Sequence, residues 1–284
     1  MSGKKVLVTG HKGMLGSSLI KNLGFKNIVG FEIDITDSDC VKIKISEENP
    51  DIVIHCAAYT NVDECEVNKD KAYAINAVGT QNLVNHCIDK DILFIYISST
   101  GVYGEYKEGA YTEFDSTKPK SVHHKSKREG EKSVERHLSK YLILRTGWLF
   151  SDNLMQSKNF IQKIYLDAKN KNFLYSDDIQ IGNPTYVLDL VKQIKILIKT
   201  KQYGIFNCVN EAENVSRYNY VNEIVKKFKL DCTVSIAPVG MFNRKAPVST
   251  NESAINYKLN LLNINTMRTW DMALSACIEK VKKL

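Results

Sequence analysis

Near its N-terminus the chain reads V-T-G-H-K-G-M-L-G, with glycines at Gly10, Gly13 and Gly16. An apolar run, Val6 to Thr9, precedes the loop, and a helix-like stretch, Met14 to Asn22, follows it. In this order the first glycine permits a tight turn. The second lets backbone approach a pyrophosphate, and the third lets the helix pack close to the sheet. Phosphates then sit at the positive end of the helix dipole, beside Met14 and Leu15. The pattern predicts a dinucleotide site for NAD or NADP; a glycine turn without a ligand is the plain alternative. Such a site calls for an acid about 20 residues onward to hold the adenosine ribose. Glu32 closes a second strand, Asn27 to Phe31, and Asp34 follows with Ile35 beside it. An acid there favours NAD, because a 2′-phosphate would be repelled, while Lys12 and Lys26 soften that preference. Asp34 to Asp37 also reads as a helix cap.

The alternation continues. Asp51 to His55, Leu93 to Ser98 and Tyr141 to Arg145 read as strands, and Lys71 to Asp89 and Ser121 to Lys140 as helices. Beyond Trp148 the rhythm changes. Met155 to Lys169, Tyr186 to Lys199, Ser216 to Leu230 and Met267 to Lys283 read as helices, with a strand at Gly204 to Val209. Short apolar strands between helices predict an α/β fold, a doubly wound parallel sheet covered on both faces. At 284 residues, 43% hydrophobic and 25% charged, the chain is an ordinary globular protein.

Composition excludes several classes. No apolar run approaches the roughly 18 residues of a membrane span, and the N-terminus lacks the order of a secretory leader. Seven cysteines, an odd number without a C-x-x-C pair, argue against a disulfide framework and a zinc knuckle, and predict a reducing, cytoplasmic location. The net charge of +7 is scattered rather than interleaved with aromatics, so nucleic acid is not the expected partner. A mild basic excess suits nucleotide diphosphates. His123 and His124 are adjacent but have no third ligand at suitable spacing, so no metal is expected.

Taken together, the motifs resemble the extended short-chain dehydrogenase/reductases, and among them most the dTDP-4-dehydrorhamnose reductases and related sugar-nucleotide reductases. Besides the glycine loop, the likeness rests on D-I-T-D at Asp34 to Asp37 and on D-I-V-I-H-C-A-A-Y-T-N-V-D-E-C-E at Asp51 to Glu66. It also rests on A-I-N-A-V-G-T around Asn76, Y-T-E at Tyr111 to Glu113, L-R-T-G-W at Leu144 to Trp148 and G-N-P-T at Gly182 to Thr185. The resemblance implies a Rossmann domain with a smaller C-terminal substrate domain. Residues 1–150 would form the first, with 183–210 returning to it, and residues 151–182 and 211–284 the second. It also implies NAD(P)-dependent reduction of a nucleotide-linked 4-keto-6-deoxyhexose, in the synthesis of surface polysaccharide sugars, and leaves room for a homodimer. Cys56, Ala57, Ala58 and Tyr59 would line the cofactor, Asn76 would order the site, and Val62, Tyr103 and Trp148 would face the sugar.

A ketone reduction needs a proton donor beside the carbonyl oxygen and a group that polarises it. The family supplies a Ser or Thr, a Tyr and a Lys, with the last two four residues apart on one helix face; the resemblance implies that the Lys binds the nicotinamide ribose and lowers the Tyr pKa. Aligned on the V-Y-G of Val102 to Gly104, the hydroxyl is Ser99. Aligned on P-x-x-x-x-x-x-S-K-x-x-G-E, the lysine is Lys127, and the tyrosine position holds His123. The next residue is His124 where the family often has glycine, Gly101 stands where it often has tyrosine, and its D-Q pair is interrupted as Asp178-Ile179-Gln180. His123 is then a substitute acid, since imidazolium donates near neutral pH, or a sign of lost catalysis. Tyr103, Tyr106 and Tyr111 are the other candidate acids. The alternatives to a reductase are a cofactor- or sugar-nucleotide-binding regulatory protein, and an epimerase or dehydratase of the same superfamily.

Overall fold

The computed structural model describes residues 3–156 and 158–283. Six strands build the main sheet in the order β2-β1-β3-β4-β5-β9: β1 Lys5–Thr9, β2 Asn27–Phe31, β3 Ile52–His55, β4 Leu93–Ser99, β5 Tyr141–Thr146 and β9 Gly204–Asn207. Every neighbouring pair is parallel. β3 and most of β4 are buried on both faces, which is why they read as unbroken apolar runs. Alternate residues face opposite ways: Val6, Ile54 and Ile95 enter one apolar cluster, while Leu7, Val53 and Phe94 enter another. Strand order reverses between β1 and β3, so the crevice at their carboxyl ends is the switch point where doubly wound sheets bind ligands.

Four more strands pair outside this sheet: β6 Trp148–Phe150 with β8 Pro184–Tyr186, and β7 Phe173–Ser176 with β10 Thr233–Ile236. Their four-residue or shorter runs carried no clear period in the sequence. The helix Val187–Thr200 and β9 rejoin the main sheet. The apolar cluster containing Val6 also contains Tyr220, Leu259 and Leu274, so the C-terminal portion shares a core with the sheet.

Most helix expectations shift at their ends. The expected helix Met155 to Lys169 crosses Ser157, which lies outside the described residues; the observed helix is Phe160–Asn170, begun by the Asn159 side chain on the Ile161 N–H. The expected Ser121 to Lys140 is Val122–His137, with Ser121 as cap. Asp37, in the D-I-T-D run, caps Ser38–Glu48. Lys71 to Asp89 is interrupted: a π-helical turn, Ala74–Val78, separates Lys69–Tyr73 from Gly79–Asn85. Such turns gather at functional sites, and this one contains Asn76.

One buried ion network seats the helix Val122–His137 on the sheet. Glu131, fully buried, accepts from Arg145 of β5 at 3.0 and 2.8 Å and from Arg128 at 3.0 Å. Removing one partner of such a group strands a buried charge. Glu131→Gln is expected to cost about 3–5 kcal/mol, read as a lower urea midpoint with an unchanged slope.

Candidate active site

A cavity of about 820 Å³ opens at the switch point. On one side Gly10, Gly13, Met14, Leu15 and Gly16 line it, together with Ile33, Asp34 and Ile35. Gly10 has φ +63°, and a Cβ there would lie 2.7 Å from the Ala57 amide nitrogen, so only glycine brings the loop this close to the end of β3. The helix Met14–Asn22 starts at Gly13, which has no side chain to cap it. A helix start without a side-chain cap beside a cavity is the arrangement that receives phosphates. The Asp34 carboxyl accepts from the Thr36 hydroxyl at 2.7 Å and the Thr36 N–H at 2.9 Å, which lowers its pKa and keeps it anionic. Deeper in the wall, Ser98 Oγ is buried without a partner among the described residues. An uncapped helix end, a ribose-class carboxylate and an unsatisfied buried hydroxyl fit a dinucleotide.

The floor carries the titratable groups. Ser99 ends β4, and Thr146 ends β5 beside it. His123, His124 and Lys127 come from the first turns of the helix Val122–His137, and all five residues line the cavity. Lys127 is 4% exposed, and its Nζ stands 4.0 Å from the centre of the Tyr96 ring. Burial lowers its pKa to about 7, so the ammonium gives up its proton near neutrality.

His123 departs from the acid expected of it. Its Nδ1 lies 2.9 Å from the Tyr59 carbonyl, which only accepts, so Nδ1 carries the proton and the neutral ring's Nε2 is a bare acceptor. Burial drives the pKa well below its usual value, with His124 and Lys127 adding to the shift. At neutral pH this ring has no proton to give from Nε2. The tyrosine alternatives are no better placed. Tyr103 and Tyr111 are fully buried and stacked on each other, and their hydroxyls bond to Asn207 and the Gly104 carbonyl. Tyr103 is therefore a core residue rather than a sugar contact, and neither it nor Tyr106 lines the cavity.

Of the residues expected about the cofactor, Glu32, Tyr59 and Asn76 do not line the cavity. Glu32 projects into solvent and pairs with Lys12, leaving Asp34 as the acid in the wall. Asn76 acts on the protein's own backbone. It accepts from the Tyr59 N–H at 2.8 Å and donates to the Tyr59 carbonyl and to Ser126 Oγ, clamping the loop after β3. Tyr59 thus contributes backbone to that clamp, while its hydroxyl donates to Glu64. Cys56, Ala57, Ala58, Val62 and Trp148 line the cavity. Burial pushes the Cys56 thiol up to about 12, so it stays protonated.

The opposite wall comes mainly from the C-terminal portion and adds Arg217, Arg244 and Glu252, which no motif marks in the sequence. Arg217 stacks 3.4 Å from the centre of the Trp148 ring, and Trp148 Nε1 donates to Glu252 at 2.8 Å. Burial lowers the Arg217 pKa to about 10 and raises that of Glu252. Gln180 accepts from Arg217, whereas Asp178 accepts from Ser216 at a helix start, and Ile179 between them points to solvent. Arg244 lies 3.5 Å from Asp63, which also accepts from the Ala246 N–H. Arg217, Arg244 and Lys158 make this wall cationic. No helix among the described residues is long and apolar enough to cross a membrane.

Comparison with known proteins agrees with this geometry. The chain is 35% identical over 228 residues, 76% of each protein, to a dTDP-4-dehydrorhamnose reductase of Aggregatibacter actinomycetemcomitans. The solved dTDP-4-dehydrorhamnose reductase of Clostridium acetobutylicum superposes with a TM-score of 0.93 at 32% identity, over 98% of this chain and 99% of that one. The Bacillus anthracis enzyme, solved in complex with NADP, gives 0.93 at 30% identity with the same coverage. The profile of the RmlD substrate binding domain matches residues 4–283, and the chain belongs to that family.

Proposed function

We propose that the protein is an NAD(P)-dependent oxidoreductase that reduces the 4-keto group of a nucleotide-linked 6-deoxyhexose, in the synthesis of surface polysaccharide sugars. The observation that carries this reading is the single cavity that joins the glycine loop, Ser99, Lys127 and a cationic substrate side. Gly10, Gly13, Met14, Leu15, Asp34 and Ile35 would hold the dinucleotide, with Cys56, Ala57 and Ala58 against it. When bound, the reduced cofactor supplies a hydride to the carbonyl carbon. The C=O π pair then moves to oxygen, where charge develops and a proton is needed. Ser99 hydrogen-bonds that oxygen, and the Lys127 ammonium holds the proton at Nζ, to be replaced afterwards from solvent. Arg217 and Arg244 suit a diphosphate, and Val62 and Trp148 face the sugar.

The test is oxidation of NADH and of NADPH by the purified protein with a panel of dTDP-linked and other nucleotide-linked 4-keto-6-deoxyhexoses. Steady turnover on at least one of them is expected. The neutral, carbonyl-bound His123 favours one rival, a binding protein that keeps the fold without the reaction. Tight cofactor binding with no oxidation across the panel would establish that rival instead.

A further inference from the structure

Beside His123 on the same helix stands a second buried imidazole. His124 is 5% exposed and lines the cavity. Its Nε2 lies 3.4 Å from Ser99 Oγ and its Nδ1 lies 3.0 Å from Ser121 Oγ. The ring occupies the space above Gly101: a Cβ at that residue would come within 2.2 Å of imidazole Cε1 and Nε2. The ring at 124 and the bare backbone at 101 are therefore complementary in shape, and the ring keeps this place only while residue 101 has no side chain.

Hydrogen-bond satisfaction fixes the tautomer. Ser121 Oγ accepts the His124 N–H at 3.3 Å as helix cap, and Ser121 is fully buried. If His124 Nδ1 also donated to it, the Ser121 hydroxyl proton would have no acceptor among the described residues. Leaving a buried donor unmet is costly. In the satisfied arrangement Ser121 O–H donates to Nδ1, and Nε2 carries the ring proton toward Ser99 Oγ. Ser99 Oγ also accepts the Gly101 N–H at 3.2 Å. With two donors directed at it from the protein side, its own proton is turned outward into the cavity. The 3.4 Å contact is long, so it sets direction more than strength. Burial lowers the His124 pKa to about 4, so the neutral ring with this single proton is the form present at neutrality.

We propose that His124 is a positioning residue: held by Ser121 and seated on Gly101, it fixes the Ser99 hydroxyl as an outward hydrogen-bond donor to the substrate's carbonyl oxygen. The role in turnover rests on the reductase reading above; the direction of the Ser99 proton does not. It also accounts for the double departure at Gly101 and His124 by one device, a ring that orients a hydroxyl.

The experiment pairs kinetics with a spectroscopic reading. His124→Leu keeps an apolar side chain in the space but has no donor, whereas His124→Gln restores an N–H near the Nε2 position. The Leu variant is expected to lose about tenfold to a hundredfold in kcat, less than a full oxyanion donor is worth. KM and the cofactor Kd, measured by fluorescence titration, should stay within about twofold, and the Gln variant should recover most of the rate. In a Ser99→Ala background His124→Leu should cost no more than about twofold, because its effect runs through Ser99. Wild-type kcat in the Leu variant, or a full additional loss on top of Ser99→Ala, would overturn the proposal. Nitrogen-15 spectra of histidine-labelled wild-type protein, with His124 assigned by its absence in the Gln variant, should show an Nε2–H tautomer. An Nδ1–H tautomer overturns the proposal, even if the Leu variant fails to fold. If wild type oxidises no cofactor with any keto-sugar nucleotide, the reductase reading falls by itself. The tautomer then decides the orientation of Ser99 alone.

Discussion

Lys127→Met will fold and bind cofactor but lose about 10²- to 10⁴-fold in kcat/KM, the range a positioned proton donor contributes. The wild-type profile should reveal the same group. Burial lowers the Lys127 pKa to about 7, so the ammonium fraction falls tenfold per unit above that pH. Because kcat/KM reports ionisations of the free enzyme, it should decline with that slope above about pH 7, and the residual activity of the Met variant should not. Stability should move the other way. The folded pKa of Lys127 lies below its unfolded value of 10.5, so carrying the charge inside the protein costs stability. That cost is absent above about 10.5, grows as pH falls, and is complete below about 7. Lys127→Met removes it. The variant should therefore resist urea better than wild type at pH 6, with the difference fading as pH rises toward 10.5. Equal midpoints at pH 6, or a wild-type rate in the Met variant, would count against Lys127 as the proton's resting place.

Ser99→Ala carries the second large effect. One preorganised donor to a developing oxyanion is worth about 10²–10³ in kcat. The hydroxyl is half-buried in the cavity wall and held by the Gly101 N–H, so its loss should leave the loop and the cofactor side intact. KM should change little, since the bond strengthens mainly as charge reaches oxygen. A raised KM with kcat preserved would mean that Ser99 only binds the ground state. Thr146, its neighbour on β5, is a poor substitute because its hydroxyl is already committed to the Ser98 carbonyl at 3.2 Å.

Several motif residues that signalled the family turn out to hold the frame. In L-R-T-G-W, Arg145 pairs with Glu131, and only the following residues reach the cavity. In G-N-P-T, Asn183 donates to the Asn210 and Ala254 carbonyls and accepts the Ala254 N–H, tying the C-terminal segment to β8. In Y-T-E, Glu113 accepts the backbone N–H of Asn207 at the end of β9. Tyr103 belongs with them: an aromatic close to Ser99 in sequence resembles a substrate contact, but its ring faces Tyr111 and Arg145 in the core.

What the sequence determined by itself is everything enforced over short range. A strand followed by glycines and an amphipathic helix is a local pattern, and local sterics and hydrogen bonding suffice to place Gly10, Asp34, Ser99 and Lys127 at the ends of parallel strands or the start of one helix. The tertiary structure decided what depends on distant neighbours. Arg217, Arg244 and Glu252 are ordinary surface residue types in sequence, and only packing of the C-terminal portion over the sheet buries Glu252 and half-buries Arg217 against Trp148 and brings the exposed Arg244 to the lining of the cavity. Protonation belongs to the same class. Whether His123, His124 or Lys127 carries a proton is set by burial and by which carbonyl or hydroxyl lies beside it, and for the two histidines those partners are the end of β4, the loop after β3 and the cap of their own helix.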